Sequence, residues 1–242
     1  MTATRRRTWL FDLDDTLHDA SHAALGPTGE AMTAYIATHL QLPLDEAAAL
    51  RHRYWHRYGA TLLGLVRHHG VKAAHFLEQT HRLPGLEARL RTSAPDRAAL
   101  RRLPGRKYIL TNAPRAYALR VLKTLRLADC FDGILSIEDM TMFGHHRPKP
   151  DARMLRHVAA RLKTPPSRCV LVEDTLVHQR SARRIGMKTV WMQRYLRGAI
   201  HTIGQQTKVG VHPCPKPAYV CARIKRIQPL RSLWCTRDDL PY

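Results

Sequence analysis

Short apolar runs alternate with helical patterns along most of the chain. Each run is five or six residues long, favours β-structure and is bounded by turn residues. Near-continuous hydrophobicity in strands separated by helices is typical of a parallel sheet that is buried on both faces. The pattern therefore predicts an α/β core with a parallel sheet between two helical layers. The runs are "TWLFDL" (8–13), "KYILT" (107–111), "DGILS" (132–136), "CVLVE" (169–173), "KTVWM" (188–192) and "AYVCA" (218–222).

A long region between the first and second runs has no strand pattern. It contains helix-compatible stretches over 30–40 and 45–70, with Asp45 as a candidate N-cap and Gly70 as a stop. We expect an all-helical insertion that closes over the end of the first strand. The predicted domains are a core of residues 1–18 and 104–235 and a cap of residues 19–103.

Helical patterns also follow the later runs. One covers 114–127 and begins with Pro114, and another covers 151–163 and begins with Asp151, a residue suited to a helix N-terminus. Residues 199–217 show little periodicity, and the sequence predicts no element there.

The charge is strongly unbalanced. The 242 residues include 40 Lys and Arg but only 19 Asp and Glu, which gives a formal net charge of +21. Such a surface attracts phosphate-bearing molecules. The arginines are nevertheless scattered, the run Arg5 to Arg7 is short, and no nucleic-acid-reading motif accompanies them, so a solvated Arg-rich surface is favoured. A non-catalytic nucleic-acid-binding protein stays as the remote alternative.

Cysteine usage and the N-terminus bear on the compartment. The five cysteines form no CxxC pair and are odd in number, which favours reduced thiols over a disulfide framework or a zinc ribbon. The first apolar stretch stops at Asp12 and is too short for a signal peptide or a membrane span. We expect a cytoplasmic protein that does not associate with membranes. The cysteines are Cys130, Cys169, Cys214, Cys221 and Cys235.

The scarce acids are concentrated after the first run. The stretch "WLFDLDDTLHD" contains Asp12, Asp14, Asp15 and Asp19. Ligands of open parallel sheets bind outside the carboxyl ends of the strands, and crowded carboxylates are costly unless a cation compensates them. Hard oxygen ligands are those that Mg²⁺ prefers. The sequence therefore predicts a Mg²⁺ site, with the side chains of Asp12 and Asp14 on the same side if the strand stays extended.

Other predicted strand ends carry matching chemistry. Thr111 and Asn112 follow the second run in "LTNA", Lys149 lies in "RPKPD", and "VEDT" supplies Glu173 and Asp174. This ordered set, with "DLDDT" first, resembles the haloacid dehalogenase superfamily of phosphohydrolases, whose four motifs follow this order on a Rossmann-like three-layer α/β/α core.

The resemblance implies a catalytic role for several residues. Asp12 would attack phosphorus to form an aspartyl-phosphate, and Asp14 would protonate the leaving oxygen and then activate water. Thr111, helped by Asn112, would hold a phosphate oxygen. Lys149 would neutralise the nucleophile and the phosphoryl group.

The resemblance also implies the metal ligands. Mg²⁺ would be bound by Asp12, the main-chain carbonyl of Asp14 and Asp174, with Glu173 as an outer or second ligand. Many relatives carry an acid or Asn shortly after the last motif, where this chain has His178 and Gln179. We expect His178 to hydrogen-bond rather than coordinate, and the second metal ligand stays open.

Asp14 separates two chemistries of the superfamily. Dehalogenases lack an acid at this position because a halide leaves without a proton, so its presence favours phosphate-ester hydrolysis. Phosphonate cleavage through a cap lysine is disfavoured because Lys72 is the only lysine of the insertion. Asp15 and Thr16 are expected to cap and shape the turn after the strand, and Asp19 to open the cap.

The insertion resembles the four-helix type of cap. The stretches "LRHRYWHRYGATLLGLVRHHG" (50–70), "LTNAPRAYALRVLKTL" (110–125) and "MTMFGHHRPKPD" (140–151) are together similar to the bacterial pyrimidine 5'-nucleotidase branch. The implied substrate is a pyrimidine nucleoside 5'-monophosphate; phosphoglycolate or a sugar phosphate is the nearer alternative. The cap stretch "RYWHRY" (53–58) offers base and phosphate contacts or core packing, and both stay open. We expect a monomer or homodimer with no specific nucleic-acid partner. Histidines expected to be structural are His68, His69, His145 and His146.

Overall fold

The central sheet is parallel and confirms the predicted α/β architecture. The computed structural model of the protein describes residues 7–91, 93–196 and 215–233. Within them six parallel strands pair in the order β3-β2-β1-β6-β7-β8, and a separate antiparallel pair, β4 and β5, forms a small hairpin. The strands are β1 (Thr8–Phe11), β2 (Arg106–Leu110), β3 (Gly133–Leu135), β4 (Thr141–Met142), β5 (His145–His146), β6 (Cys169–Glu173), β7 (Lys188–Met192) and β8 (Ala222–Ile224).

The last strand begins later than the sequence predicts. The run 218–222 was expected to be extended, but Val220 donates its backbone N–H to the carbonyl of Pro217 in a turn, and β8 covers only Ala222–Ile224. The turn occupies residues 217–220, and pairing with β7 starts once the chain has passed it.

Helices cover both faces of the sheet and form the whole insertion. The described residues between 20 and 102 contain no strand, as predicted. The helices are α1 (Ala20–Ala23), α2 (Leu25–Leu40), α3 (Leu44–Tyr58), α4 (Thr61–His69), α5 (Ala73–Thr80), α6 (Leu86–Arg89), α7 (Ala94–Arg102), α8 (Arg115–Thr124), α9 (Ala152–Arg161), α10 (Leu176–Arg184) and α11 (Leu230–Leu233).

Two of the helix ends lie where the capping residues in the sequence predict them, and one does not. Asp151 caps α9 by accepting from the backbone N–H groups of Arg153 and Met154, and Gly70 ends α4 with a φ of 63°, both as predicted. The prediction that Asp45 is an N-cap is wrong. Pro43 is the N-cap residue of α3, and Asp45 lies in the first turn, where its negative charge interacts favourably with the helix dipole.

The predicted helical stretch 45–70 is two helices. Gly59 takes a φ of 79°, a left-handed conformation that ends α3 and that glycine adopts without steric cost. The chain then turns back, and α4 packs closely on α3 because Gly64 lies against the ring of Tyr54.

Alternation along the strands divides the core into two layers. Trp9 and Phe11 of β1 pack in one cluster with residues of α7 and α8, while Leu10 packs in the other with residues of α9 and α10. Side chains that alternate across a strand produce this two-sided burial.

The insertion has a core of its own. Residues of α2–α5, including Tyr35, Ile36 and Phe76, form a third cluster that also includes Ile137 of the sheet domain. Leu86 and Leu100, from α6 and α7, instead pack in the cluster of Trp9. The domain boundaries at residues 18 and 103 stay a prediction.

The segment 215–233 is tied to the rest by Asp96 of α7. This buried carboxylate pairs with Arg194 and accepts from Gln228 Nε2 at 3.2 Å.

No helix among the described residues is long and apolar enough to cross a membrane. Cys130, Cys169 and Cys221 are free thiols. Cys214, Cys235, Arg5, Arg6 and residues 199–214, on which the sequence carried expectations, lie outside the described residues.

Candidate active site

Three adjacent strands bring the predicted motifs to one edge of the sheet. β1 lies between β2 and β6, so the segments that follow these strands are neighbours. Asp12 extends the backbone pairing of the sheet beyond the end of β1, because its N–H donates to the carbonyl of Val172 at 2.9 Å. Thr111 does so beyond the end of β2, where its N–H donates to the carbonyl of Leu135 at 3.0 Å. Both side chains are therefore fixed by main-chain pairing at the point where the sheet ends.

Lys149 is a buried ammonium group between two carboxylates. Its Nζ donates to Asp12 Oδ1 at 2.6 Å and to Glu173 Oε2 at 2.7 Å, and only 2% of its side chain is exposed. Burial alone would lower the pKa of Lys149, but the charges of the two carboxylates outweigh it and raise the pKa. Lys149 is therefore charged and forms ion pairs with Asp12 and Glu173, while its role in neutralising the nucleophile during a reaction stays a prediction.

The main chain of Lys149 is held by Asn112. The side chain of Asn112 accepts from Lys149 N at 2.9 Å and donates Nδ2 to Lys149 O at 3.0 Å, which imitates pairing with a neighbouring strand. Pro150, joined to Lys149 by a cis peptide bond, accepts from the hydroxyl of Ser181. Asn112 thus positions the lysine, and its predicted help in holding a phosphate oxygen stays a prediction.

Thr111 keeps its hydroxyl proton available. Its Oγ1 accepts from Ala113 N at 3.0 Å, and the buried side chain leaves the O–H free for another acceptor. This is the state that binding of a phosphate oxygen requires.

Asp12, Glu173 and Asp174 form an acidic cluster with ligand atoms within 4.8 Å of one another. Burial and the charge of Glu173 raise the pKa of Asp12 to about 7, and the same two causes raise that of Asp174 to about 9. One lysine among three carboxylates leaves the cluster short of positive charge. Oxygen donors in such a site fit Mg²⁺, so the residues present suit the expected ion.

Glu173 already uses both of its oxygens. Besides Lys149 at Oε2, Oε1 accepts from Thr175 N at 3.2 Å and lies 3.2 Å from Nδ1 of His178. Burial would raise the pKa of Glu173, but Lys149 and His178 lower it below its ordinary range. Glu173 is thus a counter-ion of Lys149, and the choice of a second metal ligand between Glu173 and His178 stays open.

The Asp14 side chain contacts α8, and its hydrogen-bond partners differ from those of Asp12. Its Oδ1 accepts from the hydroxyl of Tyr117 at 2.7 Å and lies 2.9 Å from Nε2 of His18. Burial would raise the pKa of Asp14, but these two partners lower it, while burial and the charge of Asp14 raise that of Tyr117. Tyr117 therefore stays protonated and donates.

Sequence reasoning missed His18 and Tyr117. Two signals were present: His18 is four residues from Asp14, and Tyr117 lies in the first turn of the helix that follows the "LTNA" strand end. First turns after parallel strands lie at the carboxyl edge of the sheet, where ligands bind.

The remaining acids of the opening motif are structural. Asp15 has a φ of 53° and accepts from Ser21 N at 2.8 Å and Ser21 Oγ at 2.6 Å, which shapes the turn as predicted. Asp19 is the N-cap of α1 and accepts from His22 N at 3.1 Å, while the start of the cap domain at this residue stays a prediction. Thr16 was expected to cap; its hydroxyl instead donates to Asp12 Oδ2 at 3.3 Å, toward the site.

The aromatic stretch of the cap packs inward in part. Tyr54 is buried and its hydroxyl lies 2.8 Å from His69 Nε2, while Tyr58 makes a 2.6 Å hydrogen bond with His68. These contacts favour core packing for Tyr54 and a structural role for both histidines. Trp55 is 55% exposed.

The fold and the edge site place the chain among α/β enzymes that bind their ligand beyond the carboxyl ends of a parallel sheet. A family model described as haloacid dehalogenase-like hydrolase matches residues 7–186, and the chain belongs to this family of hydrolases. The superfamily inferred from the motifs is thus confirmed.

Individual relatives are distant. Phosphate metabolism protein 8 of Saccharomyces cerevisiae is 26% identical over 203 residues, which cover 75% of this chain and 60% of the yeast protein. A HAD phosphatase from Thermococcus onnurineus aligns with a TM-score of 0.57 at 20% identity, covering 94% of this chain and 97% of that one. The HAD-hydrolase YfnB of Bacillus subtilis, bound to magnesium, aligns with a TM-score of 0.56 at 18% identity, covering 96% and 100%.

A dehalogenase has the same fold. The 2-haloacid dehalogenase of Pseudomonas syringae aligns with a TM-score of 0.52 at 19% identity, covering 94% of this chain and 97% of that one. Likeness of fold therefore does not choose between phosphatase and dehalogenase chemistry, and the site residues must do so.

Proposed function

We propose that the protein is a Mg²⁺-dependent phosphomonoester hydrolase that works through an aspartyl-phosphate on Asp12. The observation that carries the proposal is Asp14, a carboxyl group two residues beyond the nucleophile whose side chain is 26% exposed. A halide leaves without a proton, whereas an alkoxide must receive one, so an acid at this position favours ester hydrolysis.

The chain's own residues divide the reaction into two steps. In the first, a carboxylate oxygen of Asp12 attacks phosphorus, the bond from phosphorus to the ester oxygen breaks, and Asp14 gives its proton to the departing alcohol. In the second, Asp14 takes a proton from water, which attacks phosphorus and releases phosphate and the Asp12 carboxylate.

Charge neutralisation is the main task of the surrounding groups. Lys149 contacts Asp12 directly, so its charge also lies beside the transferring phosphoryl group, and the hydroxyl of Thr111 is free to donate to a phosphate oxygen. Asp12, the main-chain carbonyl of Asp14 and Asp174 would hold Mg²⁺, which would supply further positive charge beside the phosphoryl group.

The proposed substrate is a pyrimidine nucleoside 5'-monophosphate. The helical cap and its motifs resemble the pyrimidine 5'-nucleotidase branch, and the name of the yeast relative refers to phosphate metabolism. The turn between α3 and α4 lies beside the lysine motif, since a Cβ at Gly59 would lie 3.8 Å from Cδ of Pro150, and this position supports a cap that contacts the leaving group. Phosphoglycolate or a sugar phosphate is the alternative substrate. The proposed setting is the cytoplasm, with the enzyme as a monomer or homodimer.

Release of phosphate from 4-nitrophenyl phosphate tests the reaction. We expect activity that requires Mg²⁺, disappears in Asp12→Asn and is strongly reduced in Asp14→Asn. Asp45→Asn, an exposed acid in the first turn of α3, is the control and should behave like the wild type. Wild-type turnover by Asp12→Asn would show that the covalent mechanism is wrong.

A substrate panel tests the specificity. Phosphate release is measured with nucleoside monophosphates, sugar phosphates and phosphoglycolate at equal Mg²⁺, and we expect the highest kcat/KM for a pyrimidine nucleotide. A flat profile would overturn the nucleotidase proposal and leave the phosphatase proposal standing. Salt-sensitive nucleic-acid binding without any hydrolysis would instead support the remote alternative.

A further inference from the structure

We propose that His18 and Tyr117 are positioning residues that fix which oxygen of Asp14 handles the catalytic proton. They occupy Oδ1, so proton transfer to the leaving group uses Oδ2. The inference rests on the proposed phosphatase function and adds two residues that the family motifs do not contain.

The two contacts converge on a single oxygen atom. Tyr117 OH lies 2.7 Å and His18 Nε2 2.9 Å from Asp14 Oδ1, and no described residue makes a hydrogen bond to Oδ2. His18 and Tyr117 are 1% and 2% exposed, whereas the Asp14 side chain is 26% exposed. Because two buried rings cover Oδ1, the exposed part of the carboxyl group lies on the side of Oδ2.

The surroundings of His18 identify it as a donor. Its Nδ1 is buried and has no hydrogen-bond partner among the described residues. If Nδ1 carried the proton, a buried N–H would be left unpaired, which is energetically unfavourable. The proton therefore belongs on Nε2, where Asp14 accepts it, and Nδ1 is left with only a lone pair.

Two donors at Oδ1 decide where an acidic proton resides. Tyr117 has one hydroxyl proton and directs it to Oδ1, and His18 directs its Nε2–H to the same atom. A third proton on Oδ1 could be accepted only by the Tyr117 oxygen, whose own proton would then have no acceptor, because Nε2 of His18, 3.4 Å away, carries a proton. Protonated Asp14 therefore carries its proton on Oδ2, which gives it to the leaving oxygen and later accepts one from water.

Both partners are held rigidly. His18 is joined to Asp14 by a local β-bridge four residues away. Tyr117 lies in the first turn of α8 and packs edge-on against His81, with ring centroids 5.8 Å apart. Rotation of the carboxyl group would break both hydrogen bonds, so Asp14 is fixed in one orientation before the substrate binds.

The dependence of rate on the leaving group distinguishes this role from plain packing. An alkyl alcohol must be protonated as it leaves, whereas 4-nitrophenolate is stable without a proton. Loss of proton orientation should therefore reduce kcat/KM, which covers the steps through ester cleavage, more for alkyl than for nitrophenyl phosphates. Damage to folding or phosphate binding would reduce both equally.

The experiment compares Tyr117→Phe, His18→Leu and His18→Gln with uridine 5'-monophosphate, another alkyl phosphate and 4-nitrophenyl phosphate. For Tyr117→Phe and His18→Leu we expect kcat/KM to fall by about ten- to a hundredfold for the alkyl esters and by less than about threefold for the nitrophenyl ester. His18→Gln keeps a side-chain N–H donor and should recover part of the loss. If Tyr117→Phe does not fold, the two His18 variants carry the comparison.

Tyr35→Phe is the matched control. Tyr35 is also buried and its hydroxyl makes a 2.9 Å hydrogen bond to a histidine ring, that of His75, but it belongs to the cap core. We expect no leaving-group dependence in this variant. Equal losses for all esters in Tyr117→Phe and His18→Leu would overturn the inference alone, whereas a wild-type enzyme that hydrolyses none of the esters would overturn the proposed function as well.

Discussion

Binding of Mg²⁺ to the acidic cluster should release protons, because Asp174 is protonated and Asp12 is partly protonated in the metal-free protein near neutral pH. The pKa of Asp12 is raised to about 7 and that of Asp174 to about 9, with burial and the charge of Glu173 as the main causes. A cation coordinates the ionised carboxylates, so each bound proton must leave when the ion binds.

The two pKa values set the size of the effect. At pH 6 the two groups together hold nearly two protons, and at pH 9 about half a proton. Integration between these limits predicts that the affinity for Mg²⁺ rises roughly 5,000-fold from pH 6 to pH 9. At pH 7.5 roughly one proton should be released per ion bound.

Isothermal titration calorimetry measures both quantities. Mg²⁺ is titrated into metal-free protein without substrate in two buffers of different ionisation enthalpy, and the difference in heat gives the number of protons released. In Asp174→Asn the more basic of the two groups is gone, so we expect weaker binding and fewer protons released at pH 7.5. An affinity that does not change between pH 6 and pH 9 would show that Asp12 and Asp174 are already ionised without the metal, which would contradict their raised pKa values.

Thermal unfolding gives an independent check of the same pKa values. Asp12 and Asp174 have folded pKa values above the ordinary 3.8, so the folded state binds more protons and these groups make it less stable as pH rises toward 9. We expect the Tm of the metal-free protein to fall from pH 6 to pH 9. Added Mg²⁺ should raise the Tm more at pH 9 than at pH 6.

Two further predictions concern stability. Lys149→Met removes the cation between two buried carboxylates and should lower the free energy of unfolding by about 3–5 kcal/mol at neutral pH. The loss should be smaller at acid pH, where the carboxylates are protonated. Urea denaturation at two pH values measures the difference, and unchanged stability would contradict the buried ion pairs. Gly64→Ala places a Cβ in the ring of Tyr54 and should cost about 1–3 kcal/mol, whereas Gly26→Ala meets no atom within 4 Å and should change stability by less than about 1 kcal/mol. Equal Tm values for these two variants would show that α3 and α4 do not pack as closely as described.

The strands and the predicted site residues could be found from sequence because their signals are local. The apolar runs ended where Asp12, Thr111 and Asp174 stand, and parallel strands bring such ends to one edge whatever the helices between them do. The roles of these residues stay predictions, but their convergence needed only the pattern and the topology.

Contacts between distant segments could not be found in this way. Tyr117 and Asp14 are 103 residues apart, and the apolar pattern that buries Tyr117 does not indicate which group its hydroxyl meets. The paired hydrogen bonds of Asn112 with the Lys149 backbone are equally non-local. The break at Gly59 was missed for another reason, since the apolar period continues through it and only the backbone changes direction.

The lengths of the outermost strands affect how the protein behaves in concentrated solution. A sheet edge exposes unpaired N–H and C=O groups that can pair with another molecule, and a short edge limits that risk. Within the described residues both edges of the parallel sheet are three-residue strands, β3 and β8, while the five-residue β7 is covered by β8. The segment that carries β8 lies beyond the matched family region and is tied by Asp96 to α7. Loss of β8 from its place beside β7 would expose the longer edge of β7 to pairing with another molecule, which favours self-association.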